Sequence, residues 1–198
     1  MKANDHFLRP DLRPERRAVL RPLSGVACAI ALASVLYGCA TEKANPPLPT
    51  VPSVDLKSYM GDWYEIARLP NDFQKQCVAD TQAHYELAGD KVKVVNRCRT
   101  GSGEIDQAKG VAHAVEGSGN AKLRVSFFRP FYGDYWILAF GPDRQWVLVG
   151  EPGRENSWVL SRSPTLPEAQ LDAALDRAAA LGFDRGAFMR TPQTRPLQ

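Results

Sequence analysis

The most informative segment of the chain is Gly61-Asp62-Trp63-Tyr64-Glu65-Ile66-Ala67-Arg68. It follows Asp55-Leu56-Lys57-Ser58-Tyr59-Met60, where apolar residues at helical spacing behind an aspartate N-cap predict one short helical turn. Gly61 permits the sharp change of direction after this turn, because glycine tolerates backbone angles that other residues resist. From Trp63 onward, aromatic and β-branched residues predict a strand, and Trp63 is its first large interior side chain.

Seven further segments have alternating or apolar character and are separated by turn residues, so they also predict strands. They span residues 82–87, 91–95, 105–115, 123–128, 135–140, 146–149 and 158–161. Because no helix intervenes, strands that are neighbours in sequence are expected to pair as an up-and-down antiparallel meander. Closure of the meander removes its exposed edges. The predicted fold is therefore all-β, an eight-stranded barrel of the size that can hold one small ligand.

One C-terminal helix is predicted after Pro167, which suits a first helical turn, and Gly182 can end it. Its apolar repeat consists of Leu171, Leu175, Ala178 and Leu181. This stripe is expected to pack on the outer wall of the barrel. The barrel with its helix is predicted to span residues 54–190, and residues 191–198 are predicted to form a flexible tail.

Three motifs, followed by the helix, resemble the lipocalin family in order and spacing, and most closely the bacterial lipocalins that are outer-membrane lipoproteins. They are the segment beginning at Gly61, the run Lys122-Leu123-Arg124-Val125-Ser126-Phe127-Phe128-Arg129-Pro130-Phe131-Tyr132-Gly133, and Trp158-Val159-Leu160-Ser161-Arg162-Ser163-Pro164-Thr165. The resemblance covers residues 55–188. It implies that Arg162 lies over the Trp63 ring and closes the narrow end of the barrel. It also implies a short extra strand near Ala187.

The chain departs from this family at one motif. A Thr-Asp-Tyr is usual between the sixth and seventh strands, whereas Phe140-Gly141-Pro142-Asp143 stands here. The resemblance therefore implies no conformation for this loop.

Residues 1–38 are predicted to be a lipoprotein signal peptide, because a basic region ending at Arg21 precedes an apolar run that is too short to span a bilayer. Leu36-Tyr37-Gly38-Cys39 resembles a bacterial lipobox, which predicts lipidation of Cys39. Ala40 follows in place of an aspartate, so the expected location is the periplasmic side of the outer membrane. The alternative is an ordinary signal peptide with an incidental cysteine. Arg16-Arg17 leaves Sec and twin-arginine export both open.

Residues 39–53 are predicted to form the acylated N-terminus and a proline-rich linker. Pro46, Pro47, Pro49 and Pro52 favour extended conformations, so the linker is expected to act as a semi-rigid spacer.

The composition argues against nucleic-acid binding and gives no sign of catalysis. The formal net charge of the chain is +3. The signal segment holds six basic and three acidic residues and accounts for all of this charge, so the remainder is near neutral. His84 and His113 stand alone on strand patterns. No phosphate-binding glycine loop, metal-spaced cysteine set or nucleophile elbow occurs. We therefore expect no enzyme activity, no cofactor and no metal site.

Cys77 and Cys98 form an even pair in an exported domain, which favours a disulfide over two free thiols. If Leu87 faces Lys91 across the predicted turn, the two cysteines miss direct opposition by three positions. A bulge or a splayed strand start is then needed to bring them together.

The interior face predicted by strand alternation combines small alanines with larger apolar side chains, which leaves room for a ligand. The predicted ligand-binding residues are Tyr85, Val94, Ala112, Ala114, Val125, Phe127, Ile137 and Ala139, with Ala83 beside them, and Phe131 and Tyr132 near one end. Arg124 or Arg129 is a candidate partner for a carboxylate or phosphate.

The expected function is binding, storage or transfer of a fatty acid such as palmitate, or of a lysophospholipid, for maintenance of the outer membrane. The alternatives are a carrier of a pigment or tetrapyrrole, a lipid-acting enzyme, and a structural lipoprotein with a filled barrel. The expected partners are the lipid ligand and the membrane through N-terminal acyl chains, and a homodimer with a second copy is left open.

Overall fold

The computed structural model describes residues 46–197. The helices of this part are α1 (Leu56–Tyr59) and α2 (Glu168–Ala180), with short 3-10 turns at Asp72–Gln74, Pro142–Arg144 and Arg185–Ala187. Its strands are β1 (Gly61–Arg68), β2 (Cys77–Ala88), β3 (Lys91–Thr100), β4 (Ile105–Ala114), β5 (Lys122–Phe128), β6 (Phe131–Phe140), β7 (Trp146–Gly150), β8 (Ser157–Ser161) and β9 (Met189–Arg190). The predicted signal peptide and Cys39 lie outside the described residues.

The short helical turn before β1 forms as predicted. The Asp55 side chain accepts a hydrogen bond of 3.0 Å from the Lys57 backbone N–H and so caps α1. Gly61 then adopts a φ of +89°, a left-handed conformation that side chains disfavour.

The sheet closes on itself, which confirms the predicted antiparallel barrel. Strands β2 to β8 follow one another in order, and β1 joins β8 to β2. At the closure, Trp63 pairs with Ala83 of β2, and Tyr64 pairs with Ser161 of β8. The predicted extra strand near Ala187 is β9, which pairs with the end of β1.

The C-terminal residues are not a loose tail, because they fill the gap where β2 diverges from β1. Gln193 donates to the backbone carbonyls of Glu65 and Thr81, at 3.0 and 2.9 Å. Asp80 has a φ of +53°, and its backbone N–H donates to the Pro192 carbonyl. The prediction of a flexible tail is therefore wrong for residues 191–195. They hydrogen-bond to the backbone of both β1 and β2 where these two strands do not pair with each other, and we name them the C-terminal seam.

The described part of the predicted linker is also held against the barrel. Leu48 is buried against residues under α2. The Val51 N–H donates to the Ile137 carbonyl at 3.0 Å, and the Val54 N–H donates to the Gly119 carbonyl at 2.8 Å. Residues 46–53 are therefore not a free spacer, because Leu48 is buried, Val51 is half-buried and the Val51 backbone hydrogen-bonds to the barrel wall.

The buried apolar side chains form two separate cores. One fills the barrel interior around Trp63 and Val147, and the other lies between the outer wall and α2. Leu171, Ala174 and Ala178 are the buried residues of α2, consistent with its predicted apolar stripe. Between residues 46 and 197, no helix combines the length and apolar character needed to cross a membrane.

Candidate functional site

The barrel encloses a cavity of about 690 Å³ that opens at one end. Its opening is bordered by the loops that follow β1 and β7, which contribute Phe73 and Glu155 to the lining, and by Phe131 at the start of β6. The other end is crossed by α1 and closed by Trp63. The volume falls within the range of small-molecule sites, so the barrel has room for one ligand.

Seven of the ten predicted ligand-binding residues line this cavity. They are Tyr85, Val94, Ala112, Val125, Phe127, Phe131 and Tyr132, and Ala83 lines it as well. Gly110 of β4 makes room for one of them, because a methyl group at position 110 would lie 2.8 Å from the Phe127 ring. Strand alternation therefore located most of the wall.

The other three predicted residues, Ala114, Ile137 and Ala139, do not line the cavity. Ile137 is fully buried in the interior core, where its neighbours leave no gap. Ala139 packs on the outer side, toward α2, because a bulge in β6 places Ile137 opposite Val149 and Ala139 opposite Leu148. Ala114 pairs with Leu123, one step beyond the part of β4 that reaches the cavity.

The two arginines considered as headgroup partners do not line the cavity either. Arg124 is about half exposed and lies 3.7 Å from Asp134, with which it forms an ion pair, and of the two only Asp134 borders the cavity. Arg129 lies in the short connection between β5 and β6, among the exposed residues.

Three tyrosines that were not predicted as a group form the floor of the cavity. The Tyr135 hydroxyl lies 2.7 Å from the Tyr59 hydroxyl and 3.1 Å from the Tyr85 hydroxyl. Burial raises the pKa of all three hydroxyls well above its usual value, so they stay protonated. Tyr135 shares a strand face with Ile137, which is the signal that could have revealed it.

Glu65 is a second polar group that sequence reasoning missed. Its carboxylate is 2% exposed and accepts hydrogen bonds from Gln74 Nε2 at 2.9 Å and Thr191 Oγ1 at 2.5 Å. Burial raises the pKa of this carboxyl, and the two hydrogen bonds and the Arg68 charge only partly offset that effect. Alternation with Trp63 along β1 places Glu65 on the inner face, so its position was predictable although its partners were not.

The rim of the cavity carries exposed aromatic rings. Phe128 is 75% exposed and Phe131 is 70% exposed, and their rings stack with centroids 6.3 Å apart. Phe73 extends from the opposite side of the opening, 6.1 Å from the Trp158 ring. Exposed apolar side chains grouped in this way mark a surface that contacts something apolar.

Trp63 and Arg162 meet at the closed end, as the resemblance implied. The Arg162 guanidinium lies 3.9 Å from the centroid of the Trp63 ring. It donates to the carbonyls of Ser58, Met60 and Asp62 at 2.7 to 2.9 Å. The Arg162 side chain therefore links α1, β1 and the end of β8.

Cys77 and Cys98 are joined by a disulfide, with their Cα atoms 5.4 Å apart. Cys77 pairs with Thr100, so the two cysteines are diagonal across β2 and β3. Leu87 pairs with Val92 and not with Lys91, so the predicted register is wrong by one position; the predicted bulge is present, because bulges between Cys77 and Gln82 shift the register and bring the cysteines together.

Among residues 46–197, no cluster of histidine, cysteine or acidic side chains has the arrangement of a metal site. His84 contacts Asp62 at 2.7 Å on the outer surface, and His113 lies beside the Tyr132 ring. The chemistry that the described cavity offers is therefore apolar contact with a few hydrogen bonds.

Comparison with known proteins agrees with this geometry. The family model described as "Lipocalin-like domain" matches residues 54–193. The outer membrane lipoprotein Blc of Vibrio cholerae is 35% identical over 88% of this chain and 99% of its own length. Temperature-induced lipocalin-1 of Arabidopsis thaliana is 34% identical over 78% of this chain and 86% of its own length.

Solved structures show the same architecture. Insecticyanin from the tobacco hornworm Manduca sexta superposes with a TM-score of 0.62 over 76% of this chain and 86% of its own, at 22% identity. That likeness concerns the fold. Together with the family model and the sequence relatives, it shows that this chain belongs to the lipocalin family.

Proposed function

We propose that this protein is a lipid-anchored carrier that binds, stores or transfers a single-chain lipid, a fatty acid or a lysophospholipid, at the outer membrane. The observation that carries the proposal is the cavity of about 690 Å³, which is apolar along most of its wall and open at one end. Lipocalins bind small hydrophobic ligands and are generally carriers, not enzymes. We propose the same of this chain.

The shape of the cavity favours a long, flexible chain. Its middle is lined by Ala83, Val94, Ala112 and Val125, which offer no hydrogen-bonding side chains. Each buried methylene contributes about 0.8 kcal/mol, so a chain of about 16 carbons gains roughly 13 kcal/mol. Association costs roughly 4 to 15 kcal/mol, which leaves a micromolar to submicromolar affinity for a long chain.

Similarity to outer membrane lipoproteins supports an anchor at Cys39, on the periplasmic side of that membrane. Pro46 is held near the cavity opening, since its carbonyl accepts a hydrogen bond of 2.8 Å from Arg154 in the loop after β7. Pro46 is seven positions after Cys39, so seven Cα-to-Cα steps join them. Fully extended, they span at most about 25 Å, so an acylated Cys39 would hold the opening within reach of the lipid surface.

The aromatic rim suits transfer between that surface and the cavity. Phe128 and Phe131 can enter the interfacial layer of a bilayer, where an apolar side chain is favourable. The loops around the opening hold nearly balanced charge, at residues 69–76, 101–104, 129–130 and 151–156. Contact with lipid would therefore depend on apolar insertion and change little with salt.

The test is a titration of the delipidated domain with fatty acids and lysophospholipids of increasing chain length. Trp158 lines the cavity, so its fluorescence reports occupancy. Affinity should rise about fourfold for each added methylene and level off when the cavity is full. A folded domain that binds no chain of any length would contradict the proposal.

A matched pair of variants ties the signal to the cavity. Ala112→Phe places a ring inside the cavity and should weaken binding of the longest chains about tenfold or more, because it removes space they need. Ala179→Phe adds the same ring to an exposed position of α2 and should not. Release of a chemically altered lipid would instead indicate an enzyme.

A further inference from the structure

We propose that the tyrosine cluster at the floor is a binding subsite for the carboxylate of a fatty acid, so that fatty acids enter with the carboxylate first. The tyrosine cluster consists of Tyr59, Tyr85 and Tyr135, all of which line the cavity. The inference rests on the proposed function and adds the chemical class of the ligand and its orientation.

Counting hydrogens shows that the cluster has a donor to spare. Three phenol groups supply three O–H hydrogens, and the structure contains two hydroxyl contacts among them. The hydroxyls of Tyr59 and Tyr85 each hydrogen-bond only with the Tyr135 hydroxyl. However the hydrogens are arranged, one O–H has no acceptor among residues 46–197. A buried donor without a partner is costly, so the floor favours a ligand that brings an acceptor oxygen.

The charge beneath the floor favours an anionic acceptor. The Arg162 guanidinium lies behind the Trp63 ring, and its charge acts on all three hydroxyls. Its donors meet backbone carbonyls, and within the described residues no carboxylate forms an ion pair with it. The Asp62 carboxylate acts on the guanidinium without an ion-pair contact, so the positive charge of Arg162 still attracts a carboxylate that hydrogen-bonds to the tyrosine cluster.

The opposite end of the cavity disfavours the same group. The charged residues of the lining are five acids, Glu65, Asp106, Asp134, Glu151 and Glu155, and one base, Arg97. Just inside the opening, a carboxylate would meet mostly acidic side chains, although the surrounding loops are nearly balanced in charge. The positive charge beneath the floor and the acidic side chains of the lining thus orient a fatty acid with its carboxylate at the tyrosine cluster and its methyl end at the aromatic rim.

We expect a lysophospholipid not to follow that path, because its zwitterionic headgroup is much bulkier than a carboxylate. Its positive choline suits the acidic side chains just inside the opening instead. The two ligand classes should therefore bind in opposite orientations and respond differently to changes at the floor.

The first experiment uses the triple variant Tyr59→Phe, Tyr85→Phe and Tyr135→Phe, which keeps the rings and removes the hydroxyls. Hexadecanoate should bind it about tenfold more weakly or worse, because a hydrogen bond to a charged group is lost. The affinity for palmitoyl lysophosphatidylcholine should fall by less than about threefold. The control is Tyr64→Phe, a tyrosine that faces the outer core. Thr81 offers a competing site, because its hydroxyl has no partner among the described residues and lines the cavity near the opening. If Thr81→Val weakens hexadecanoate binding and the triple variant does not, the inference is wrong.

The second experiment needs no variant. Hexadecanoate labelled with carbon-13 at its carboxyl is bound to the wild-type domain, and a soluble paramagnetic reagent is added. The carboxyl signal should be protected from broadening, and the terminal methyl should be the more affected end. A carboxyl broadened as strongly as in free hexadecanoate would overturn the orientation alone. Absence of any hexadecanoate binding would instead count against the proposed carrier function.

Discussion

A few single residues hold the narrow end of this barrel closed, and Arg162 is the clearest case. Its guanidinium stacks on Trp63 and donates to three backbone carbonyls, which a lysine could not reproduce with its single ammonium group. Trp63 is 1% exposed and donates from Nε1 to the Tyr59 carbonyl at 2.9 Å. The pair therefore links the floor of the cavity to the outer end of the barrel.

We predict that Trp63→Ala lowers the free energy of unfolding by about 3 kcal/mol or more, because it truncates a buried ring. Arg162→Ala should cost less, since the guanidinium is partly exposed. Urea denaturation of both single variants and the double variant measures their coupling, which should be at least about 0.5 kcal/mol. Strictly additive losses would show that the stacking contributes nothing.

At the level of whole elements, alternation predicted the strands well and failed where the backbone departs from regular pairing. Val94 and Val125 lie on the predicted face because their strands are regular there. Ala139 was misplaced, because a bulge in β6 reverses the face of every residue after it. Nothing in the run Trp136-Ile137-Leu138-Ala139-Phe140 reveals which residue is the extra one.

The C-terminal seam was missed for a different reason. Residues 191–195 have no apolar period, and their contacts are with main-chain groups and one buried carboxylate. The Asp80 carboxylate accepts hydrogen bonds from the Thr194 and Arg195 N–H groups at 2.6 and 2.9 Å, and from Arg99 Nε at 2.6 Å. Burial alone would raise the pKa of Asp80, but these bonds outweigh it and hold the pKa below its usual value.

Removal of residues 191–198 should therefore destabilise the barrel by roughly 3 kcal/mol, because a buried carboxylate loses donors. A lowered folded pKa stabilises above the unfolded pKa, and this contribution disappears as pH falls through the folded pKa. The stability of the intact chain should thus decline in acid through Asp80, and the shortened chain should show a weaker decline.

The matched control ends the chain after Arg195 and keeps every bond to Asp80. Thermal unfolding across a series of acidic pH values compares the three chains. Equal stabilities for the two truncations would show that the seam does not support the barrel.

At the scale of the whole molecule, the barrel has two unlike ends. The family, the closed barrel and the flanking helix were predictable from sequence, because separate motifs agree in order. The polarity of the cavity was not, because it arises from residues on different strands. Tyr59 and Tyr135 are 76 positions apart and meet only after closure.

The aromatic rim should govern exchange with membranes. Phe128→Ser combined with Phe131→Ser should slow transfer of a fluorescent fatty acid to phospholipid vesicles severalfold more than it weakens equilibrium binding, because the rings contact the bilayer. The rate should change little between low and high salt. Val115→Ser, an exposed apolar position at the opposite end, serves as the control. Equal transfer rates in the two variants would argue against contact between the rim and the bilayer. If the wild-type chain forms dimers and the double rim variant does not, the rim is instead the contact surface for a second copy.

The C-terminal seam also bears on the time at which this protein can finish folding. Residues 191–195 are synthesised after all eight barrel strands, yet their partners lie in β1 and β2, the first of those strands to be made. A growing chain holds all eight barrel strands before it contains the residues that satisfy Glu65 and Asp80. Such long-range pairing delays completion of the barrel until residues 191–195 have been made. A chain arrested before residue 191 is therefore an unfinished barrel, open to proteolysis along the split between its first two strands.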